Sequence, residues 1–279
     1  MALIFSFRAP AEKRKRFIMK LYLFQCGIIK TLKHLITKGR GIGQPFDVPV
    51  PFFLIVHPKG KVLFDTGNAL AVAHDKIKHW GSTVVKTSDP IMKKEDYVVA
   101  QLATIGIKPT EITQVIFSHL HLDHAGGTGE FVNATYYTQR AEMQYAQAPD
   151  SIQAGAYIRD DFDKPNLKWH LLNGRHDDYY DVFGDGALKI VFTPGHTPGS
   201  QSLLIKLKTW GTTLLTGDSV YTEEILNEDV LPGLLYNQTD TVKSIKKIRA
   251  LNVDQGVRII TGHDPMAWTK FNLAPAYYE

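Results

Sequence analysis

Ser118-His119-Leu120-His121-Leu122-Asp123-His124-Ala125-Gly126-Gly127 puts three imidazoles and a carboxylate within six residues, directly behind the apolar run Val115-Ile116-Phe117. Such a run reads as a buried strand, so the polar cluster falls where the strand ends. In an extended chain residues i and i+2 point to one side, which lets His119 and His121 converge on a single ion. Asp123 and His124, where the chain turns toward Gly126-Gly127, reach a second. The competing reading is a polar loop at a strand end. It leaves densely packed imidazole and carboxylate without partners, at a cost in folding free energy that a bound metal removes.

The same pattern recurs along the chain. Lys189-Ile190-Val191-Phe192-Thr193 delivers Pro194-Gly195-His196-Thr197-Pro198-Gly199, where glycine and proline on both sides hold His196 on a tight turn. Residues 202–207 and 213–216 read as a hairpin whose second strand ends in Gly217-Asp218-Ser219-Val220-Tyr221, and residues 258–261 lead to Gly262-His263-Asp264. Apolar strands thus end in His119 to His124, in His196, in Asp218 and in His263. Loops at one edge of a sheet bring such side chains together however far apart they lie in sequence. Each taken singly is equally well a turn residue.

Upstream, residues 21–24, 51–56 and 62–64 read as strands, with His57-Pro58-Lys59-Gly60-Lys61 as turn chemistry and hence an antiparallel start. The third runs into Asp65-Thr66-Gly67, where an acid beside glycine suits a carboxylate orienting a ligand from behind, or a plain turn. Gly39-Arg40-Gly41-Ile42-Gly43 lacks the last glycine of a dinucleotide fingerprint, with Gln44 in its place, and is expected to be a loop. Residues 68–93 read as irregular, and neither His74 nor His79 is assigned as a ligand. Residues 95–105 form an amphipathic helix pattern through Val98, Val99, Leu102 and Ile105. Residues 134–138 suggest a strand, 140–147 and 241–251 helices, and the polar segment 149–166 gives no clear pattern.

With 279 residues, 44% of them hydrophobic, the chain can bury a sizeable core. One cysteine, Cys26, excludes an internal disulfide and a zinc-thiolate cluster, so histidine and carboxylate must hold any metal. The formal charge of +4 lies entirely in residues 1–18, where Arg8, Lys13, Arg14, Lys15 and Arg16 face Glu12. A neutral body speaks against nucleic acid and anionic membranes as partners. We expect residues 1–18 to be a disordered basic extension with Met19 as the biological start, and 19–279 to be a single domain. The apolar stretch 17–29 is interrupted by Lys20 and has no cleavage site, and no run reaches a membrane span, which points to a cytoplasmic protein. The sequons at Asn133 and Asn237 are read as chance.

His119-x-His121-x-Asp123-His124, followed by His196, Asp218 and His263, resembles the metallo-β-lactamase superfamily. The resemblance implies an α/β fold, the αββα sandwich of two mixed sheets flanked by helices, with metals at one edge. From about Lys20 to Glu279 the chain is similar to the N-acyl homoserine lactonases. This rests on Asp218-Ser219-Val220-Tyr221, Leu231-Pro232-Gly233-Leu234-Leu235-Tyr236 before a helix, Gly262-His263-Asp264 and the terminal Tyr277-Tyr278-Glu279. It implies that His119, His121 and His196 hold one metal, that Asp123, His124 and His263 hold the other, and that Asp218 bridges them. It also implies a small-molecule lactone substrate and a homodimer; residues 28–45 and 145–185, which it does not clearly match, are expected to shape the acyl pocket, and residues 28–45 are the candidate dimer contact.

Two ions about 3.5–4 Å apart lower the pKa of a shared water to about 7, so the expected nucleophile is a metal-bridging hydroxide. No Gly-x-Ser-x-Gly elbow offers a protein nucleophile. Tyr221 is the expected partner of the oxyanion and Asp123 the expected proton carrier to the departing alkoxide. The donor set suits zinc and tolerates cobalt, iron or manganese. A thioester hydrolase of the glyoxalase II type, or a promiscuous ester or phosphotriester hydrolase, would use the same ligands. A diiron oxygen- or nitric-oxide-reducing relative would carry glutamate at His121 and a flavin domain, for which the chain has no room. A nucleic-acid-cleaving relative would need an insertion between His196 and Asp218, where only 21 residues lie.

Overall fold

The computed structural model describes residues 18–279. The expected extension 1–18 therefore lies, apart from Ile18, outside the described residues. Side-chain alternation along the first two strands sets up the layers. In β1 (Lys20–Leu32) Leu21 and Leu23 face one cluster, while Phe24 and Cys26 face another. In β2 (Pro45–His57) Phe53 and Ile55 join the first, and Val50, Phe52 and Leu54 the second. A sheet apolar on both faces must be covered on both.

With β3 (Gly60–Phe64), β4 (Asp89–Ile91), β5 (Ile112–Ile116), β6 (Thr135–Gln139) and β7 (Lys168–Leu172), these strands form a seven-stranded sheet in the order β4-β1-β2-β3-β5-β6-β7. Strands β8 (Tyr179–Asp181), β9 (Leu188–Phe192), β10 (Gln201–Leu207), β11 (Gly211–Leu215) and β12 (Arg258–Ile260) form a five-stranded sheet, β12-β11-β10-β9-β8. Between the sheets, Leu21, Leu23, Phe53 and Ile55 share one buried cluster with Ile190, Leu203, Ile205 and Leu215. The helices are α1 (Lys33–Ile36), α2 (Leu70–Trp80), α3 (Ser82–Val85), α4 (Val98–Thr104), α5 (Arg140–Gln147), α6 (Arg159–Phe162), α7 (Glu223–Asn227), α8 (Gln238–Gln255) and α9 (Pro265–Trp268). α4 contributes Val98 and Leu102, and α8 Ile245, Ile248 and Leu251, to the cluster holding the outward residues Phe52, Val191 and Leu214. The αββα arrangement of two mixed sheets is thus present. Among the described residues no helix is long and apolar enough to cross a membrane.

Strand direction decides where polar residues gather. β3 runs parallel to β5. β9 and β11 are each antiparallel to β10, hence parallel to one another, and β12 is parallel to β11. The C-terminal ends of these five strands meet at one edge. There the sheets are stitched together by Gln201, whose backbone N–H donates to Ser118 O (2.9 Å) and whose amide donates to Phe117 O (2.7 Å).

Two parts of the sequence reading need correction. Residues 68–93 are not irregular: they form α2, α3 and β4. Asp75 breaks α2 with φ −156° and ψ 90°, and its carboxylate accepts from Lys78 N (3.0 Å) to start a second short turn. No continuous apolar stripe exists to be read. The helix expected over 95–105 begins only at Val98, after a 3₁₀ turn at Lys94–Asp96 held by Lys93 N donating to Asp96 (2.7 Å). The edge strands β7 and β8 were not expected, being short and half exposed.

Candidate metal centre

Asp65, just past β3, has a left-handed backbone at φ 59°, unusual for a residue with a side chain. In that conformation its buried carboxylate accepts from Ser118 N (2.6 Å) and the Ser118 hydroxyl (2.8 Å), and lies 2.9 Å from His124 Nδ1. An imidazole that donates through Nδ1 turns an unprotonated Nε2 outward, which fixes the tautomer for metal binding. His263 is fixed likewise by Pro49 O (2.7 Å) and His196 by Leu234 O (3.2 Å). His119 Nδ1 lies 3.0 Å from the Ser118 hydroxyl, which is itself committed as donor to Asp65.

The freed atoms surround Asp218. Its Oδ1 lies 3.2 Å from His124 Nε2 and 3.1 Å from His263 Nε2. Its Oδ2 lies 3.4 Å from His196 Nε2 and 3.8 Å from His119 Nε2. Asp123 Oδ2 is 3.6 Å from His124 Nε2 and 3.5 Å from His263 Nε2, and His121 Nδ1 is 3.0 Å from His196 Nε2. Donor atoms within 4.8 Å of one another define three groups: His119, His121 and His196; His119, His124 and Asp218; Asp123, His124 and His263. All seven residues singled out in the sequence as ligands are brought together. The stretch from Ser118 to His121 is irregular rather than a continued strand, yet the His119 and His121 rings still lie 4.4 Å apart.

The donor set fits divalent ions. His119 Nε2, His124 Nε2 and Asp218 Oδ1 are buried without a hydrogen-bond partner, a cost of roughly 1–3 kcal/mol each if nothing else satisfies them. Five imidazoles and two carboxylates are borderline donors, suited to zinc and its first-row neighbours more than to magnesium or calcium. The electrostatics agree. Burial, reinforced by neighbouring imidazoles, holds His119 and His121 well below the usual histidine pKa and hence neutral. Burial would do the same to His124 and His263, but the carboxylates around them outweigh it and raise both. Against its own burial, Asp218 is held well below the usual carboxylate range by His263, His124 and His119. The protons so held are those that metal ions displace.

Above these residues opens a cavity of about 450 Å³. Asp123, His196, Asp218, Tyr221 and His263 lie on one side, and Ile29, Ile36, Val48, Trp80, Val84 and Leu122 form apolar wall. Residues 28–45 and 145–185 do contribute, through the end of β1, α1 and residues 151–156, but so does the α2–α3 segment. Tyr221 is buried with its hydroxyl 3.1 Å from His196 Nδ1. Where that nitrogen carries hydrogen the phenol oxygen accepts, leaving its own O–H free. Burial, then Asp218 and Asp123, push the Tyr221 pKa well up, which keeps it a donor.

Sequence reasoning missed Glu142, a buried residue in the first turn of α5, where acids ordinarily sit in solvent. The available signal was weak: Glu142 shares the buried face of α5 with Ala146, four residues on. Two glycines flanking the ligands are required by close approach rather than by conformation. A Cβ on Gly126 would lie 2.0 Å from Ala69 N, and one on Gly199 would lie 2.4 Å from Glu142 Cβ.

Comparison with known proteins agrees with this geometry. The model of the metallo-β-lactamase superfamily matches residues 46–263. An N-acyl homoserine lactonase, AttM, from Azorhizobium caulinodans is 48% identical over 261 residues, 94% of this chain and 99% of its own. A solved N-acyl homoserine lactone hydrolase with the product N-hexanoyl-L-homoserine at its catalytic metal centre superposes with a TM-score of 0.83 at 28% identity, covering 93% of this chain and 99% of its own. The dizinc quorum-quenching lactonase AidC shares the fold at TM-score 0.66 and 18% identity, covering 93% of each chain.

Proposed function

The chain belongs to the metallo-β-lactamase superfamily and, within it, to the N-acyl homoserine lactonases, and from that premise we propose that it hydrolyses the lactone ring of N-acyl homoserine lactones on a two-metal centre. The observation that carries this reading is the division of Asp218, one oxygen toward His119 and His196 and the other toward His124 and His263, beneath an apolar-walled cavity. In this reading His119, His121 and His196 hold one ion, Asp123, His124 and His263 the other, and Asp218 both. When bound, the ions supply a water deprotonated near neutral pH and a Lewis acid for the lactone carbonyl, zinc being the default and cobalt, iron or manganese compatible.

The remaining work falls to the chain. Ile29, Ile36, Val48 and Leu122 give the acyl chain an apolar wall, which orients the ring toward the polar side of the cavity. Tyr221 donates its free O–H to the carbonyl oxygen as that oxygen becomes negative. Asp123 takes the proton left on the attacking oxygen and passes it to the ring oxygen. The acyl carbon gains the water oxygen, its bond to the ring oxygen breaks, and an alcohol and a carboxylate result. Among the described residues no Lys or Arg lines the cavity, so an acidic thioester of the glyoxalase II type finds no counter-charge there.

A panel of homoserine lactones of varied acyl length, run beside an acyl thioester and a phosphotriester, tests the reading. The lactones should show the highest kcat/KM. Tyr221→Phe should lower that value by about tenfold to a hundredfold, at or below the usual 10²–10³ for one oxyanion donor, because Tyr221 shares the charge with a Lewis acid. A preferred thioester would replace the proposed substrate, and an unchanged Tyr221→Phe would remove the assigned role.

A further inference from the structure

We propose that Glu142 is a positioning residue for the metal centre, one buried carboxylate that ties together the two loops carrying His119, His121 and His196. The inference rests on the two-metal reading above and adds a residue to which that reading gives no task. Glu142 Oε1 accepts from Leu120 N (2.9 Å) and the Tyr157 hydroxyl (3.0 Å). Its Oε2 accepts from the Thr197 hydroxyl (2.5 Å) and Gly199 N (3.2 Å). Leu120 stands between His119 and His121, Thr197 follows His196, and the Tyr157 ring packs edge-on against His121 with centroids 4.6 Å apart. Each oxygen therefore serves a different part of the cluster: Oε1 the first loop and the ring behind His121, Oε2 the turn bearing His196.

Two further observations separate this from an ordinary buried acid. The α5 backbone lies so close that Gly199 has no space for a side chain, its Cβ falling 2.5 Å from Glu142 N, so the helix and the His196 turn are locked at fixed distance. Four neutral donors saturate the carboxylate. Burial pushes the Glu142 carboxyl above its ordinary pKa, and these four donors oppose that shift. Through these contacts the carboxylate holds Leu120, between His119 and His121, and the Thr197–Gly199 turn behind His196 at fixed separation, which orients the three imidazoles indirectly.

The test uses the full chain and two readouts besides turnover: zinc affinity by competition with a chelator, and thermal melting with and without zinc. Glu142→Gln keeps the volume but removes the charge and turns an N–H₂ toward two donors. Zinc affinity should fall by about tenfold to a hundredfold, the usual cost of losing a group that orients ligands, and the rise in Tm on adding zinc should shrink with it. A variant with wild-type zinc affinity and the wild-type zinc-dependent rise in Tm would overturn the proposal, whatever its absolute stability. Should Glu142→Gln not fold, Thr197→Val and Tyr157→Phe remove one donor each, and both should weaken zinc binding several-fold. Unchanged affinity in both would overturn it equally. Wild-type protein that bound no divalent ion would remove the two-metal reading and this proposal with it, whereas normal wild-type binding beside an unaffected Glu142→Gln would remove this proposal alone.

Discussion

Asp218→Asn lowers kcat/KM for an N-acyl homoserine lactone by about a thousandfold or more, and the variant retains less than the full complement of metal. Both carboxylate oxygens are committed in the native site, each within 4 Å of two imidazole nitrogens from different loops. Asparagine keeps one acceptor and replaces the other with an N–H₂, which donates toward nitrogens whose lone pairs are needed for binding. On the two-metal reading it also removes the negative charge that would hold a dication pair among imidazoles. Loss of the activated water and of the Lewis acid is worth several kcal/mol of transition-state stabilisation, and about 4 kcal/mol is a thousandfold. Chelator treatment of the wild-type protein should cause the same loss, reversed by added zinc. Assay of kcat/KM with elemental analysis checks both, and a variant keeping a tenth of the activity with two ions per chain would refute the bridging role.

Gly126→Ala should have the largest effect on stability of any single methyl group near the site. The added carbon would fall 2.0 Å from Ala69 N, 2.3 Å from Asn68 C and 2.6 Å from Ala69 Cα, all backbone atoms with no flexible side chain to give way. The two loops are also zipped by Gly126 N donating to Gly67 O (2.9 Å) and Thr66 N to His124 O (2.8 Å). Relieving the overlap separates Asp65 from His124, so stability and metal binding fall together. Overpacking of this severity costs about 3 kcal/mol, or roughly 6–12 °C in Tm for a chain of this size. Thermal unfolding of the variant checks it, and a Tm within about 2 °C of wild type would mean the loops yield freely.

The parts of the site that were legible are those that end strands. His119 to His124, His196, Asp218 and His263 each follow an apolar run, and period-two alternation makes such runs readable without any tertiary knowledge. Asp65 was legible for the same reason. The cavity wall was not. Trp80 sits at the end of a helix broken at Asp75, where no stripe longer than a turn survives. Glu142 carries only the weak local mark of its spacing from Ala146, because its burial is imposed by the His196 turn packed against α5 from more than fifty residues downstream. The strand ends of β1 and β2 beyond residues 24 and 51 were hidden by the polar and proline residues Gln25, Pro49 and Pro51 and by the register shift after Gln25. Local pattern thus reveals what strands deliver, while long-range packing decides what surrounds it.

The five strands that converge on one edge carry Asp65 and the seven proposed ligands at their ends, whereas Ile36, Trp80, Val84 and Ile152 come from short segments that carry none of them. Much of the cavity wall thus stands apart from the proposed ligands, Leu122 between His121 and Asp123 being an exception. On the proposed reading, a change of one residue in α1, α2 or α3 alters the wall that meets the acyl tail without replacing a proposed ligand, whereas a change at Leu122 reaches both.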